Sequence, residues 1–231
     1  MGSEGHGQMI MPEPGANLDF TPRGGVDVPF TEYSVDQYDR SWRATLKGYE
    51  DVPYLKQDTA DPKVYWRRNR KAISAIDPKP SDRILDAGCG TGFNTLLLHE
   101  AFGCDNVTGC DFSPVAIAHA RTHCPWARFD TCSVDAMPYA DGVFDSALAM
   151  DITEHLPEDA YWGFVRELRR VVRPEGVVLV LPGILQVPGH IRAVGLRQTA
   201  NEFHANGFRV IAAYTTETPG GTAGAFVARV R

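Results

Sequence analysis

Ile84-Leu85-Asp86-Ala87-Gly88-Cys89-Gly90-Thr91-Gly92 is the stretch from which the rest of the chain can be read. It follows the polar, proline-marked run Asp77-Pro78-Lys79-Pro80-Ser81-Asp82 and opens apolar, as a short buried strand fed by a loop does. It turns through three glycines and continues into Phe93-Asn94-Thr95-Leu96-Leu97-Leu98-His99-Glu100, apolar and free of proline, which reads as a helix. A strand, a glycine turn and a helix make the first half of a doubly wound α/β nucleotide site. Glycines there let the backbone approach a ligand that a Cβ would exclude. The dinucleotide fingerprint is G-x-G-x-x-G, with a pyrophosphate on the helix N-terminus. Here the spacing is G-x-G-x-G, and Asp86 lies two residues before the first glycine. A carboxylate there repels a phosphate and suits a ligand with a positive ammonium group.

The run from Asp86 to Gly92 resembles motif I of the class I S-adenosylmethionine (SAM)-dependent methyltransferases, in their UbiE-like, type 11 small-molecule group. Later segments extend the resemblance in the family's order. Asn106 to Asp111 reads as a second strand ending on an acid, nineteen residues after Gly92, where a doubly wound fold places the carboxylate for ribose hydroxyls. Phe112 follows and could stack on adenine, and Ser113-Pro114 caps a helix over Val115–His123. Phe129–Val134 is the expected third strand, and Asp135-Ala136-Met137-Pro138 after it resembles motif III, D-A-x-x-L/M-P-F. Ser146–Met150 is the fourth strand, within a span from Phe144 to Pro157 that is similar to the family's F-D-x(8)-E-H-L-P. Arg173-Pro174-Glu175-Gly176 reads as a turn before a fifth strand, Val177–Leu181. It resembles the family's L-R-P-G-G with Glu175 in place of the first glycine. The resemblance covers about residues 62–231.

The remaining segments complete the fold. Residues 1–30 are Gly- and Pro-rich and read as a flexible tail. Residues 31–60 carry Tyr33, Tyr38, Trp42, Tyr49 and Tyr54 among charges, with Tyr38 and Trp42 on one helical face. That pattern fits either a helix packing its aromatics on the core or a lid over the site. Pro62 opens a helix through Ile76, and its Arg67-Arg68-Asn69-Arg70-Lys71 cluster reads as a solvated face. A helix from Pro157-Glu158-Asp159 to Val172 buries Phe164, Val165, Leu168, Val171 and Val172. An irregular stretch, Pro182 to Gly189, precedes a helix at 190–206. Phe208–Thr216 and Ala225–Val230 form a closing hairpin across Pro219-Gly220-Gly221. The expected architecture is a Rossmann-like, doubly wound α/β sheet of seven strands. It is mostly parallel, with a C-terminal antiparallel hairpin strand and an N-terminal helical lid, and the SAM-binding methyltransferase domain occupies residues 61–231.

Composition narrows the function. With 43% hydrophobic and 23% charged residues, the chain is of soluble globular type, and no apolar run nears the roughly 20 residues of a membrane span. The tail lacks a signal-peptide core, and five cysteines match no zinc spacing, so a cytoplasmic protein with reduced thiols is expected. A net charge of −6 argues against a nucleic-acid partner.

The resemblance implies methyl transfer from SAM to a nitrogen or oxygen of a small molecule, such as a specialised metabolite, by a monomer or homodimer. Asp86, Gly88, Cys89, Gly90 and Asn94 are expected at the methionine end. Asp111 is expected at the ribose, and Phe112, Asp135, Ala136 and Met137 around the adenine. His155 is the candidate base and Asp151 the acid nearest the methyl site, although His in this motif can also be a packing residue. Tyr33, Tyr38, Trp42 and His190 are the lid and substrate candidates. No metal is expected: His119 and His123, four apart, have no evident third ligand, and Val180–Val187 offers no carboxylate for metal-assisted O-methylation. A protein or RNA methyltransferase and a catalytically inactive SAM-binding partner subunit are the alternatives.

Overall fold

The computed structural model describes residues 33–47, 62–183, 190–192, 195–218 and 221–231, and every structural statement concerns these. The tail at 1–30, Tyr49, Tyr54, the irregular stretch beyond Gly183 and the Pro219-Gly220 turn lie outside them. The described elements are α1 (Val35–Leu46), α2 (Pro62–Ser74), β1 (Ile84–Ala87), α3 (Phe93–Phe102), β2 (Val107–Asp111), α4 (Pro114–His123) and β3 (Arg128–Thr131). After them come β4 (Phe144–Met150), a 3₁₀ turn (Thr153–His155), α5 (Glu158–Val171), β5 (Val172–Leu181), α6 (Leu196–Ala205), β6 (Phe208–Thr218) and β7 (Gly221–Val230).

The seven strands pair in the order β3-β2-β1-β4-β5-β7-β6. The pairs from β3 to β5 are parallel, while β7 runs antiparallel to both β5 and β6. The mostly parallel sheet and closing hairpin expected from the sequence are therefore present. Strand order reverses between β1 and β4, so their carboxyl ends meet at the switch point where doubly wound folds bind ligands.

Alternation along the strands assigns the two faces. Leu85 and Ala87 of β1 join Ala147, Ala149, Val178 and Val180 beneath Tyr161, Phe164 and Leu168 of α5 and Phe203 of α6. Ile84, Leu148, Met150, Leu179 and Leu181 meet Ala72 and Ile73 of α2 and Leu97 and Leu98 of α3. Strands covered on both faces read as continuous apolar runs, which is why β4 and β5 do. α5 buries Ala160, Tyr161, Phe164, Val165, Leu168 and Val171 at three- and four-residue intervals. Its acids Glu158 and Asp159 open it and Arg169 and Arg170 end it, matching the helix dipole.

Several boundaries differ from expectation. β3 stops at Thr131 rather than Val134, because Ala136 N–H folds back onto the Ser133 carbonyl at 3.2 Å. The Arg173–Gly176 turn lies inside β5 as a bulge, since Phe144 pairs with Val172 and Ser146 already with Val177. Glu175 sits there at φ 64. α6 starts at Leu196 rather than 190, because Ile191 and Arg192 N–H both donate to the Glu154 carbonyl at 2.9 and 3.0 Å. Those bonds fasten the segment to the 3₁₀ turn instead of letting it coil. Among the described residues, no helix is long and apolar enough to cross a membrane.

Candidate active site

The glycine turn between β1 and α3 is stitched to the end of β2. Gly88 and Cys89 N–H both donate to the Cys110 carbonyl, at 2.8 and 2.9 Å, and Gly90 N–H donates to Asp111 Oδ2 at 3.0 Å. Gly88 and Gly90 adopt φ 71 and φ 52, the left-handed region that favours glycine. Space excludes a side chain as well. A Cβ on Gly88 would fall 2.1 Å from Ile152 Cδ1, and one on Gly90 would fall 3.0 Å from Trp42 Cζ2. Cys89 turns its thiol away into a cluster with Leu96, Ile117 and Phe129, and burial pushes that thiol well above its ordinary pKa. Any contact of Cys89 with a ligand therefore comes from its backbone.

Three acids stand at or just beyond strand ends. Asp86 lies on the α3 side of β1, almost wholly buried, and accepts from the Thr95 hydroxyl at 2.8 Å. Burial raises its pKa to about 6, against the opposing hydrogen bonds from Thr95. Asp111 accepts from Gly90 N–H and, through Oδ1, from Ser113 N–H at 2.9 Å. Burial raises its pKa too, and these two amides pull it back. Asp135 accepts from the Ser133 hydroxyl, and Tyr33 also hydrogen-bonds Ser133. Gly163 of α5 lets the Asp135 loop come close, since a Cβ there would meet Asp135 Cβ at 2.6 Å. Ala136 follows, closing the turn on Ser133. Met137 donates its N–H to Glu167 at 2.7 Å and packs its side chain into the core with Leu156, Tyr161 and Phe164.

α1 covers the ends of β1 and β2. Ser34 caps it, and Asp39 docks it on the N-terminus of α4, accepting from the Ser113 hydroxyl and from Val115 N–H at 3.4 Å. Tyr33 stacks on Phe112 with ring centres 5.2 Å apart, and Tyr38 meets Phe112 edge-on at 4.6 Å and His155 at 6.1 Å. Trp42 lies on Gly90. Burial lifts the Tyr33 phenol to about 12 and the Tyr38 phenol further, so both stay neutral. Three lid candidates, Tyr33, Tyr38 and Trp42, are thus brought together with the expected cofactor residues Phe112 and Gly90, and Tyr33 occupies a face of the ring expected to meet adenine.

The end of β4 is braced from α2. Asp151, at φ 51, forms an ion pair with Arg68, and Asn69 donates to Asn94 Oδ1 at 2.7 Å. Arg68 and Asn69 are 8% and 0% exposed, which corrects the expected solvated face: only Arg67, Arg70 and Lys71 of that cluster are exposed. Sequence reading missed both. The signal was present, because positions 68 and 69 share a helical face with Tyr65, Ala72, Ile73 and Ile76. His155 and His190 stand edge-to-face, 4.9 Å apart, beside the buried Glu154.

The donor set suits the cofactor implied by the resemblance. Carboxylates at β1, β2 and beyond β3 can accept from an ammonium, a ribose diol and an exocyclic amine. The Arg68–Asp151 pair offers both signs to an amino-acid zwitterion. Comparisons with known proteins agree. Residues 84–176 match the family described as a methyltransferase domain. The chain is similar to malonyl-acyl-carrier-protein O-methyltransferase of Halorhodospira halophila, at 32% identity over 61% of this chain and 45% of that protein. It is similar to 2-methyl-6-phytyl-1,4-hydroquinone methyltransferase of Synechocystis, at 30% identity over 65% and 48%. The chain spans about half the length of these curated relatives. Its fold is similar to that of 1,6-didemethyltoxoflavin-N1-methyltransferase of Burkholderia thailandensis, solved with S-adenosylhomocysteine. That match has TM-score 0.62 at 21% identity, over 86% of this chain and 91% of that one. Strand order and glycine turn define a doubly wound, nucleoside-binding fold. Residues 84–176, from β1 through the bulge in β5, carry the match to a methyltransferase domain, in line with the resemblance of the glycine turn to the class I SAM-dependent methyltransferases.

Proposed function

We propose that the protein methylates a nitrogen or oxygen of a small molecule, of the kind found among specialised metabolites, in the cytoplasm. The observation carrying this reading is Asp111, held by two backbone amides beside Phe112 beneath the aromatic face of α1. A covered site of this kind favours a small acceptor over a polymer surface. Bound SAM would supply a methyl group on a positive sulfonium. In this reading Asp111 takes the ribose hydroxyls and Phe112, Asp135 and Ala136 surround the adenine, while Met137, its N–H on Glu167 and its side chain in the core, supports the loop from behind. Asp86, Gly88, Cys89, Gly90 and Asn94 hold the methionine end, with Arg68 as the cation for its carboxylate. Tyr33, Tyr38, Trp42 and His190 enclose the acceptor. Asp151 orients the acceptor, and in the metal-free protein His155 takes its proton.

Calorimetric titration with S-adenosylhomocysteine tests the cofactor half. The wild type should bind, and Asp111→Ala should weaken binding by about 1–3 kcal/mol, as loss of a charged acceptor does. A wild type that does not bind S-adenosylhomocysteine would overturn the reading.

A further inference from the structure

The 3₁₀ turn after β4 and the segment after β5 assemble a ligand set that methyl transfer alone does not require. Glu154, His155 and His190 each offer one ligand atom, and these atoms all lie within 4.8 Å of one another. Glu154 Oε1 is 4.0 Å from His155 Nε2, and the two imidazole rings stand at 87°. Glu154 is 1% exposed. The hydrogen bond its carboxylate receives among the described residues is a long one, 3.4 Å from the Thr153 hydroxyl. A buried carboxylate needs more compensation than that, and a cation supplies it. Gly183 leaves room for this carboxylate, since a Cβ there would fall 2.2 Å from Glu154 Oε1. The bonds from Ile191 and Arg192 N–H to the Glu154 carbonyl keep His190 at the same place.

We propose that Glu154, His155 and His190 bind one divalent cation of borderline softness, zinc or cobalt, leaving a coordination position open toward the acceptor. Two imidazoles and one carboxylate form a known catalytic zinc set, which reserves its fourth position for water or substrate. Bonds of about 2.1 Å require the three ligand atoms to draw together by roughly 1 Å, which side-chain rotation can supply. The use of the site rests on the methyl-transfer reading. An acceptor hydroxyl would enter the open position and lose its proton to solvent, so the cation favours oxygen acceptors over amines. His155 is then a ligand and not the proton acceptor.

Cobalt(II) titration of the chelator-treated full chain reads the site through visible ligand-field bands, with calorimetry of S-adenosylhomocysteine on the same sample. One equivalent should bind. Both His190→Ala, a partly exposed position whose unchanged melting temperature checks the fold, and Glu154→Gln should weaken binding by roughly 10-fold or more. His119→Ala should leave it unchanged. Absence of bands in the wild type, or bands that survive both ligand substitutions, would overturn the cation site. Cobalt bound as expected without S-adenosylhomocysteine binding would uphold the site and defeat the methyl-transfer reading instead.

Discussion

The buried Asp86 carboxyl titrates near 6 because burial outweighs the hydrogen bonds from Thr95, and both consequences have a definite sign. Its folded pKa is raised, so its contribution to stability is complete below the unfolded value and is lost as pH rises through about 6. An ammonium partner needs the ionised form, so S-adenosylhomocysteine affinity should fall as pH drops through that same range. Asp86→Asn should weaken binding near pH 8 by roughly 10-fold, the loss of a charged hydrogen bond, and flatten the slope between about pH 5 and 7. Calorimetry at several pH values checks this, and a slope that persists in the variant would release Asp86 from the role. Cys89 shows the complementary lesson: it stands inside the motif, yet its thiol belongs to the core behind it.

Asp39 fastens α1 to the positive end of another helix, α4. Asp39→Ala should weaken the docking of α1 by about 1 kcal/mol. Amide exchange should then quicken over α1 alone, with weaker binding of S-adenosylhomocysteine. Quickening throughout the sheet would mean that Asp39 supports the whole fold rather than the cover. The elements legible in the sequence were those whose own pattern settles them: β1 with its glycine turn, α5 with its apolar stripe, α4 with Ser113 and Pro114. Features set by a distant partner were not legible. The start of α6 depends on the Glu154 carbonyl, the bulge in β5 on its register with β4, and the burial of Arg68 on Asp151, 83 residues away. The Glu154, His155 and His190 cluster escaped for the same reason, being adjacent only once β5 has returned to the switch point.

At the scale of the molecule, the Arg68–Asp151 pair ties α2 to the middle of the sheet. Both side chains are largely buried, at 8% and 14% exposure. Arg68→Ala strands a buried carboxylate and should cost about 3–5 kcal/mol in urea unfolding, while adding Asp151→Ala should recover part of that loss. Additive losses would show that the two residues act separately. The sheet also carries a consequence for synthesis. β7 lies between β5 and β6 although it follows both in the chain. A ribosome therefore releases β6 before the strand that must separate it from the rest of the sheet. Until β7 emerges, the long apolar edge of β5 stays bare and open to wrong partners, and β6 has no neighbour to pair with. The nascent chain can shape the glycine turn and the ends of β1, β2 and β4 early, but it closes only by wedging in its last strand. The interval before that step is when it most needs a chaperone.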